Sequence, residues 1–403
     1  MRNKELLVEV QDLSVDGSEE LLSVSHLTGV GPRSDKNVTM TAAESLDGYR
    51  VVEPGDLVIN TMWAWMGALG ITKQTGIVSP AYGVYRSRPA APFEPRFYDY
   101  LYRSPTYVME MTRVSRGIWS SRLRIYPEVF LRMAVPVPTL DEQIAIADYL
   151  DRETARIDTL IEEQQQLIEL LCERRATAIA QAATQGIDHA PLIESGNAFL
   201  GAVPAHWIVS RFSREMEVNG GQVDPRDYPW VDMVLVAPNH IEAGTGRIIG
   251  RESAREQGAD SGKYVAKAGQ ILYSKIRPAL NKVTLATEDC LTSADMYAMS
   301  SRHGDDHRYL MYFLLARPFH TFATLTSLRV KMPKINREEL GEAPFLRPPT
   351  EEQRRIAAYL DNQTAKLDVL ITETERFIEL ARERRSALIT AAVTGQIDVR
   401  GAA

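Results

Sequence analysis

The sequence predicts an α+β protein: two mixed, strand-rich α/β modules joined by two long antiparallel coiled-coil helices with pseudo-twofold symmetry. Three observations predict it. A helix-patterned segment occurs twice at a fixed offset, its identical residues recur seven apart, and the stretch before each copy follows one plan of strands, turns and a short helix. The implied boundaries are 1–135 for the first module, 136–190 for the first helix, 191–346 for the second module and 347–403 for the second helix.

The repeat comes first because missing it would misread everything else. Residues 142–188 (EQIAIADYLDRETARIDTL…) recur as residues 352–398 (EQRRIAAYLDNQTAKLDVL…), an offset of 210 without a gap, and about half of the positions are identical. Each copy follows a proline signal, PVPTLDEQ at 136–143 and RPPTEEQ at 347–353. Proline and Thr with acids in the first turn mark a helix N-terminus. Neither interior contains Gly or Pro until Gly186 and Gly395. Each is therefore read as one helix of roughly 40 residues, on the order of 60 Å long, too long to be buried in one compact domain.

Ala147, Thr154, Ile161, Ile168, Arg175 and Ala182 lie seven apart and match Ala357, Thr364, Ile371, Ile378, Arg385 and Ala392. A second line alternates steps of three and four, through Ile146, Leu150, Ile157, Leu160, Leu167 and Leu171 in the first copy and Ile356, Leu360, Leu367, Leu370, Phe377 and Ala381 in the second. A 3.5-residue hydrophobic period predicts a left-handed coiled-coil seam. Its helix–helix residues are Leu150, Ile157, Ile161 and Ile168 with Leu360, Leu367, Ile371 and Ile378. Polar Glu153, Gln164, Gln363 and Thr374 interrupt it at equivalent places, as register-fixing residues do. The acidic face around Asp148, Asp151, Asp158, Glu162 and Glu163 reads as solvated or protein-docking rather than catalytic.

The modules share a plan. YRVVEPGDLVIN at 49–60 parallels YVAKAGQILYS at 264–274, and GIVSPAYGVYR at 76–86 parallels DCLTSADMYAM at 289–299. Both pairs alternate as strands do. RFYDYLYRSP at 96–105 and RYLMYFLLARP at 308–318 read as short amphipathic helices stopped by proline.

Charge bounds the function. A net charge of −7 argues against a basic nucleic-acid binder, but the excess acid lies almost entirely in 137–190 and both modules are near neutral. Two segments are free of acids: 113–124, with Arg113, Arg116, Trp119, Arg122 and Arg124, and 324–337, with Arg329, Lys331, Lys334 and Arg337. Interleaved Ser, Thr and Asn suit phosphate and base-edge contacts. Trp63 and Trp65 alternate, which on a strand places them on one face. Their counterpart in the second module carries Lys275, Arg277, Asn281 and Lys282, which a core would exclude. These residues form the candidate DNA-binding set.

Two cysteines, Cys172 and Cys290, allow neither a disulfide framework nor a metal cluster, and no apolar run approaches the ~18 residues of a membrane helix. A cytosolic protein is the expectation. AGTGRIIG at 243–250 lacks the full dinucleotide spacing and reads as a turn. His303 and His307 are separated by Gly304 and lack a third ligand. No catalytic set, cofactor loop or metal site is expected.

PxPxxEQxxIxxYLD-like openings at 136–151 and 348–361, LITAAVTGQIDVR at 388–400, GDLVINTMWAW…GIVSPAY at 55–82 and SGNAFLGAVPAHW at 195–207 together resemble the specificity (S) subunits of Type I restriction-modification systems. That resemblance spans nearly the whole chain. It implies two target-recognition domains, each reading half of a bipartite DNA site, and two antiparallel helices that space them. It also implies docking of two methyltransferase (M) subunits, with restriction (R) subunits, and no cofactor of the chain's own. One departure is that GAVPAHW has no counterpart before the first module, so either the true start lies upstream or that module lacks its opening strand. Two other classes stay open: a protein-only coiled-coil adaptor, and a DNA enzyme with an unrecognised site.

Overall fold

A computed structural model describes residues 1–35, 45–117, 123–218, 220–328 and 333–399. The chain divides into two compact units. The first comprises residues 1–165 and 376–403, the second residues 166–375. Each unit thus takes one module, part of the long helix that follows it, and part of the other long helix.

The repeat forms the two long helices, Leu140–Gln185 of 46 residues and Thr350–Val393 of 44. Both run to the glycine signals. Gly186 and Gly395 adopt φ of 79° and 72°, the left-handed cap that ends a helix. In the first helix, Thr139 N–H and its hydroxyl both donate to the Glu142 carboxylate, and Glu142 N–H donates back to the Thr139 hydroxyl. This is a capping box.

Of the seven-residue line, Ala147, Thr154, Ile161, Arg175 and Ala182 are buried, as are Ala357, Thr364, Ile378 and Ala392. Leu150, Leu360 and Leu367 are buried as well, while Ile157, Ile168 and Ile371 are half-buried. The second line departs from its expectation at mid-helix. Leu167, Leu370 and Phe377 are 40%, 47% and 43% exposed, with Leu170, Val369 and Leu380 beside them. A strict 3.5 period describes a seam only where a partner covers both lines, and these mid-helix positions of the second line are left uncovered.

In the first unit an antiparallel four-stranded sheet has the order Leu7–Glu9, Tyr82–Ser87, Leu57–Asn60, Leu69–Ile71. In the second unit the order Met216–Val218, Met296–Ser301, Ile271–Ser274, Val283–Leu285 repeats it. The flanking pair Arg50–Val52 with Gly76–Val78 is matched by Lys263–Ala266 with Cys290–Thr292. The proline that stops each short helix also begins another. Pro95–Arg103 is followed by Pro105–Val114, and His307–Leu315 by Arg317–Ser327. Proline lacks a donor but is pre-set for the first helical turn, so it serves both ends.

Each core contains the long helices. Leu57, Ile59, Phe97, Tyr102 and Phe130 pack with Ile146, Ala147, Leu150, Ile389, Ala392 and Val393 in the first unit. Tyr273, Tyr309, Phe313 and Phe345 pack with Ile179, Ala182, Ala183, Ile356, Ala357 and Leu360 in the second. At helical packing distances such apolar faces exclude water and hold the rod to the module.

The repeated motif explains the join between helix and module. Gln143 is fully buried. Its side-chain amide donates to Pro92 and Pro138 carbonyls, and its carbonyl accepts from Glu94 N–H at 2.8 Å. Gln353 repeats this with Asp305, Pro348 and Asp306 N–H. Arg96 pairs with Asp148 and Asp151, and the Tyr100 hydroxyl donates to Asp151. Arg308 and Tyr312 do the same at Asp361. The acidic face read as solvated or protein-docking is partly committed to the chain's own residues, with Asp158 bound by Arg385 at 2.8 Å.

The first module opens on pairings at its first residues. Met1 N–H and C=O pair with Val135, and Asn3 N–H donates to Met133 C=O. Those positions correspond to Ser210, Phe345, Phe212 and Ala343 in the second unit, where Ile208–Arg211 pairs with Pro344–Arg347. Trp207, just before that strand, is buried and donates to Glu352 at 3.1 Å.

Candidate nucleic-acid interface

The strand Leu57–Asn60 ends in a turn, not a continued strand. Trp63 N–H donates to Asn60 C=O, residues Ala64–Met66 make one 3-10 turn, and Gly67 closes it at φ 84°. This corrects the placement of Trp63 and Trp65 on one strand face. The Gly-Ala-Leu-Gly run that follows must fold back to form the next strand, and the chain reverses at the tryptophans to do so. The two rings nonetheless face each other, 6.4 Å apart and 16° from parallel. Trp63 is 50% exposed, so it is not a core residue. Helix Pro105–Val114 supports the turn: the Thr112 hydroxyl donates to Trp65 C=O at 3.1 Å.

The acid-free segment lies beside this turn. Arg113 is the last charged residue of its helix and pairs with Glu110 at 2.6 Å, which raises the Arg113 pKa and lowers that of Glu110. Arg116 and Arg124 then pair through both backbone bonds, at 2.9 and 2.8 Å. Ile125 N–H donates to Thr61 C=O, which fixes this pair to the tryptophan turn. Met62, Trp63, Arg116, Gly117, Leu123, Arg124 and Tyr126 line one open cleft of about 460 Å³. Arg116 and Arg124 are exposed there. Trp119 and Arg122 lie outside the described residues.

The second unit repeats the construction with different side chains. Strand Ile271–Ser274 leads through Lys275 and Arg277 to a 3-10 turn at Pro278–Leu280, closed by Asn281. Arg277 stands where Trp63 stands, and Asn281 where Gly67 does. Both are left-handed, at φ 45° and 47°. A non-glycine residue rarely adopts that conformation, and such strain persists where surrounding bonds enforce it. Here Arg277 N–H donates to Pro333 C=O at 2.7 Å, and Ile335 N–H to Lys275 C=O at 2.9 Å. The latter is the counterpart of the Ile125–Thr61 bond.

Not every cation of the expected set is available. Lys282 donates through Nζ to Pro238 C=O at 2.6 Å, and Asn281 through Nδ2 to Leu315 C=O at 2.8 Å. These two shape the turn. Arg277 and Lys334 are exposed, and the Lys275 ammonium lies 5.5 Å from the centre of the Tyr297 ring. Arg329 and Lys331 lie outside the described residues. The run 324–337 is less loop than its composition suggests, since 324–327 complete a helix and Arg337–Gly341 begins another, capped by Asn336. What composition could not reveal is the pairing of the two segments in space. Its only sequence signal was their recurrence in both modules.

The two histidines are engaged elsewhere. His303 pairs with Glu215 at 3.2 Å, and His307 Nδ1 lies 2.6 Å from Gly269 C=O. Among the described residues no group of His, Cys, Asp and Glu is disposed to hold a metal, and no helix is long and apolar enough to cross a membrane. AGTGRIIG forms a hairpin tip, with Ile241 bridged to Ile248.

Comparison with known proteins agrees with this architecture. The family model of the Type I restriction modification DNA specificity domain matches residues 222–379. The specificity subunit of the Type I restriction enzyme EcoDI from Escherichia coli is 28% identical over 348 residues, 82% of this chain and 76% of the relative. Among solved structures, a chain from a study of complex assembly and conformational transition in the type I R-M system superposes with a TM-score of 0.73 at 16% identity, covering 98% of this chain and 96% of that one. The HsdS subunit from Thermoanaerobacter tengcongensis gives 0.56 at 16% identity over the same shares. These two likenesses are of fold. Taken with the family match over residues 222–379 and the curated relative, they lead to one conclusion: the chain is similar to the specificity subunits of Type I restriction-modification systems and shares their fold.

Proposed function

We propose that the chain reads a bipartite duplex DNA site, one half with each unit, and directs adenine methylation and restriction by partner M and R subunits while carrying no catalytic residues of its own. The observation that carries this reading is the same two-part construction in both units, a reversing turn bonded to a neighbouring cationic segment. In the first unit Trp63, Arg116 and Arg124 supply a stacking surface and two cations; Trp65, Arg113, Trp119 and Arg122 belong to the same set. In the second, Arg277, Lys275 and Lys334 take the equivalent place, and Arg329 and Lys331 belong to the same expected set. Guanidinium groups fork onto guanine edges, and both cation types hold phosphate. Different side chains on one scaffold suit two different half-sites.

The long helices serve as the spacer. An antiparallel, pseudo-twofold pairing is supported by reciprocal ion pairs: Arg385 with Asp158 in one unit, Arg175 with Asp368 in the other, each residue the counterpart of its opposite number. The exposed Leu167, Leu170, Val369, Leu370, Phe377 and Leu380 offer apolar positions on which two M subunits would dock.

Methylation mapping of the native genome tests the reading. Two short specified blocks separated by unspecified bases, lost on deletion of the gene, are expected; a contiguous motif would refute it. Arg116→Ala should relax one block and Arg277→Ala the other, and each should lower the salt slope of binding by about 0.9 for every phosphate that the removed cation had neutralised. Uniform loss across both blocks counts against the assignment. An adaptor without DNA function would retain no duplex even with M subunits present.

A further inference from the structure

We propose that Arg175 fixes the attitude of the second unit's recognition turn on the helices of that unit, and so determines how strictly the spacing between half-sites is read. This rests on the bipartite reading above.

Arg175 is only 6% exposed, although it lies on a long polar helix. Its Nη1 donates to Gly244 C=O at 2.8 Å and its Nη2 to Thr245 C=O at 2.6 Å. Nε stands 3.2 Å from Asp368 Oδ1, within ion-pair reach but off line for a hydrogen bond. One guanidinium therefore joins both long helices to the tip of the hairpin 240–249. Gly244 and Gly246, at φ 71° and 84°, turn successive carbonyls towards that single group. A Cβ on Gly246 would stand 3.2 Å from Met311 Sδ, so the tip is also sterically set.

The tip's other side holds the recognition turn. Gly244 N–H donates to Asn281 C=O at 3.0 Å, and Gly246 C=O accepts from the Thr284 hydroxyl at 2.7 Å. Asn281 is the left-handed residue that closes the turn bearing Arg277. The path from helix to turn is thus two consecutive hydrogen bonds through one residue, Gly244. Among the described residues the first unit shows no equivalent: the counterpart Arg385 pairs there with Asp158, and its side chain is 36% exposed. The Arg–Asp pair is common to both copies; the grip on backbone carbonyls is particular to Arg175.

A guanidinium is required. Its planar fork spans two carbonyls and a carboxylate at once, whereas an ammonium is a point charge. Arg175 acts through the turn and touches no base, so it is a positioning residue. The experiment must separate positioning from folding.

Binding of the full chain with its M subunits would be measured on duplexes carrying the mapped bipartite motif, at its native spacing and with one base pair added or removed. Duplexes carrying only the second half-site complete the set. The wild-type complex should lose about tenfold or more in affinity on either change of spacing, as a geometrically constrained bivalent reader does. Arg175→Lys should lose less than about threefold while its affinity for the isolated second half-site stays unchanged. Gly244→Ala provides a second variant. Its Cβ meets no atom within 4 Å, so it disturbs the tip only through its left-handed backbone. Full spacing discrimination in both variants overturns the inference, and so does loss of the isolated half-site, which would make Arg175 a folding residue. A wild-type complex that binds the two-block duplex no better than one block would instead overturn the bipartite reading beneath it.

Discussion

Replacing Asn3 should loosen the first unit and its cleft together. Asn3 is fully buried. Its Nδ2 donates to the Tyr107 hydroxyl at 2.8 Å and to Phe130 C=O at 2.9 Å, and its Oδ1 accepts from the Tyr102 hydroxyl at 2.9 Å. Phe130 C=O keeps a second donor, Met133 N–H, after the side chain is cut. The two tyrosine hydroxyls do not, and burial pushes both phenols far up, as expected where no water reaches them. Each orphaned hydroxyl costs about 1–3 kcal/mol, so Asn3→Ala should destabilise this unit by about 3–4 kcal/mol. Removing the polar partners together should restore most of it. Asn3→Leu with Tyr102→Phe and Tyr107→Phe should lie within about 1 kcal/mol of wild type. Phe212 occupies the equivalent position in the second unit, among Phe319 and Phe345, so the site accepts an apolar residue. Native-state hydrogen exchange, read on peptides of the first unit, measures both variants. The cleft should follow, because Tyr107 lies on the helix leading to Arg116 and Phe130 on the helix after Arg124. A loss below about 1 kcal/mol for Asn3→Ala, or a triple variant as unstable as the single, would refute the reasoning.

Native protein at pH 8 should expose one reactive thiol, Cys172. Burial raises the Cys290 thiol to about 12, so a thiol titration should find the second group only after denaturation. Burial likewise raises Tyr100 and Tyr312 to about 12. A raised folded-state pKa means stability fully present below the unfolded value of about 10 and lost as pH climbs towards 12, so replacing both with Phe should flatten the alkaline unfolding profile over that window. Gln353→Ala leaves Asp306 N–H and the buried Asp305 carboxylate short of a partner, and denaturant unfolding should register a cost of about 2–4 kcal/mol in the second unit.

The long helices were legible because a helix writes its environment into a 3.6-residue pattern, and duplication wrote it twice. The module strands were legible in outline for the same reason. The tryptophan turn was not: alternation over Trp63, Ala64 and Trp65 is common to a strand and a 3-10 turn, and only the Gly67 closure separates them. The availability of cations was not legible either. Lys282 and Asn281 look like readers by type, yet they bind carbonyls brought near by residues tens of positions away. The internal partners of the acidic helix face were not legible for a related reason, since Arg96, which meets Asp148 and Asp151, sits about fifty residues upstream.

The division of the core has a consequence for synthesis. The first unit is finished by Ile389, Ala392 and Val393, which leave the ribosome long after the module they complete. At about 5–20 residues per second, the apolar stripe of Ile146, Ala147 and Leu150 waits roughly 10–50 s for them. The module made first is therefore completed last, and the second unit, which needs nothing beyond residue 375, closes before it. During that interval the nascent chain exposes a helix face suited to another helix, and ribosomes spaced along one message bring several such faces together. A chaperone or a co-translationally bound partner would act in that window, and a chain released before Arg376 would yield one finished unit tethered to one unfinished.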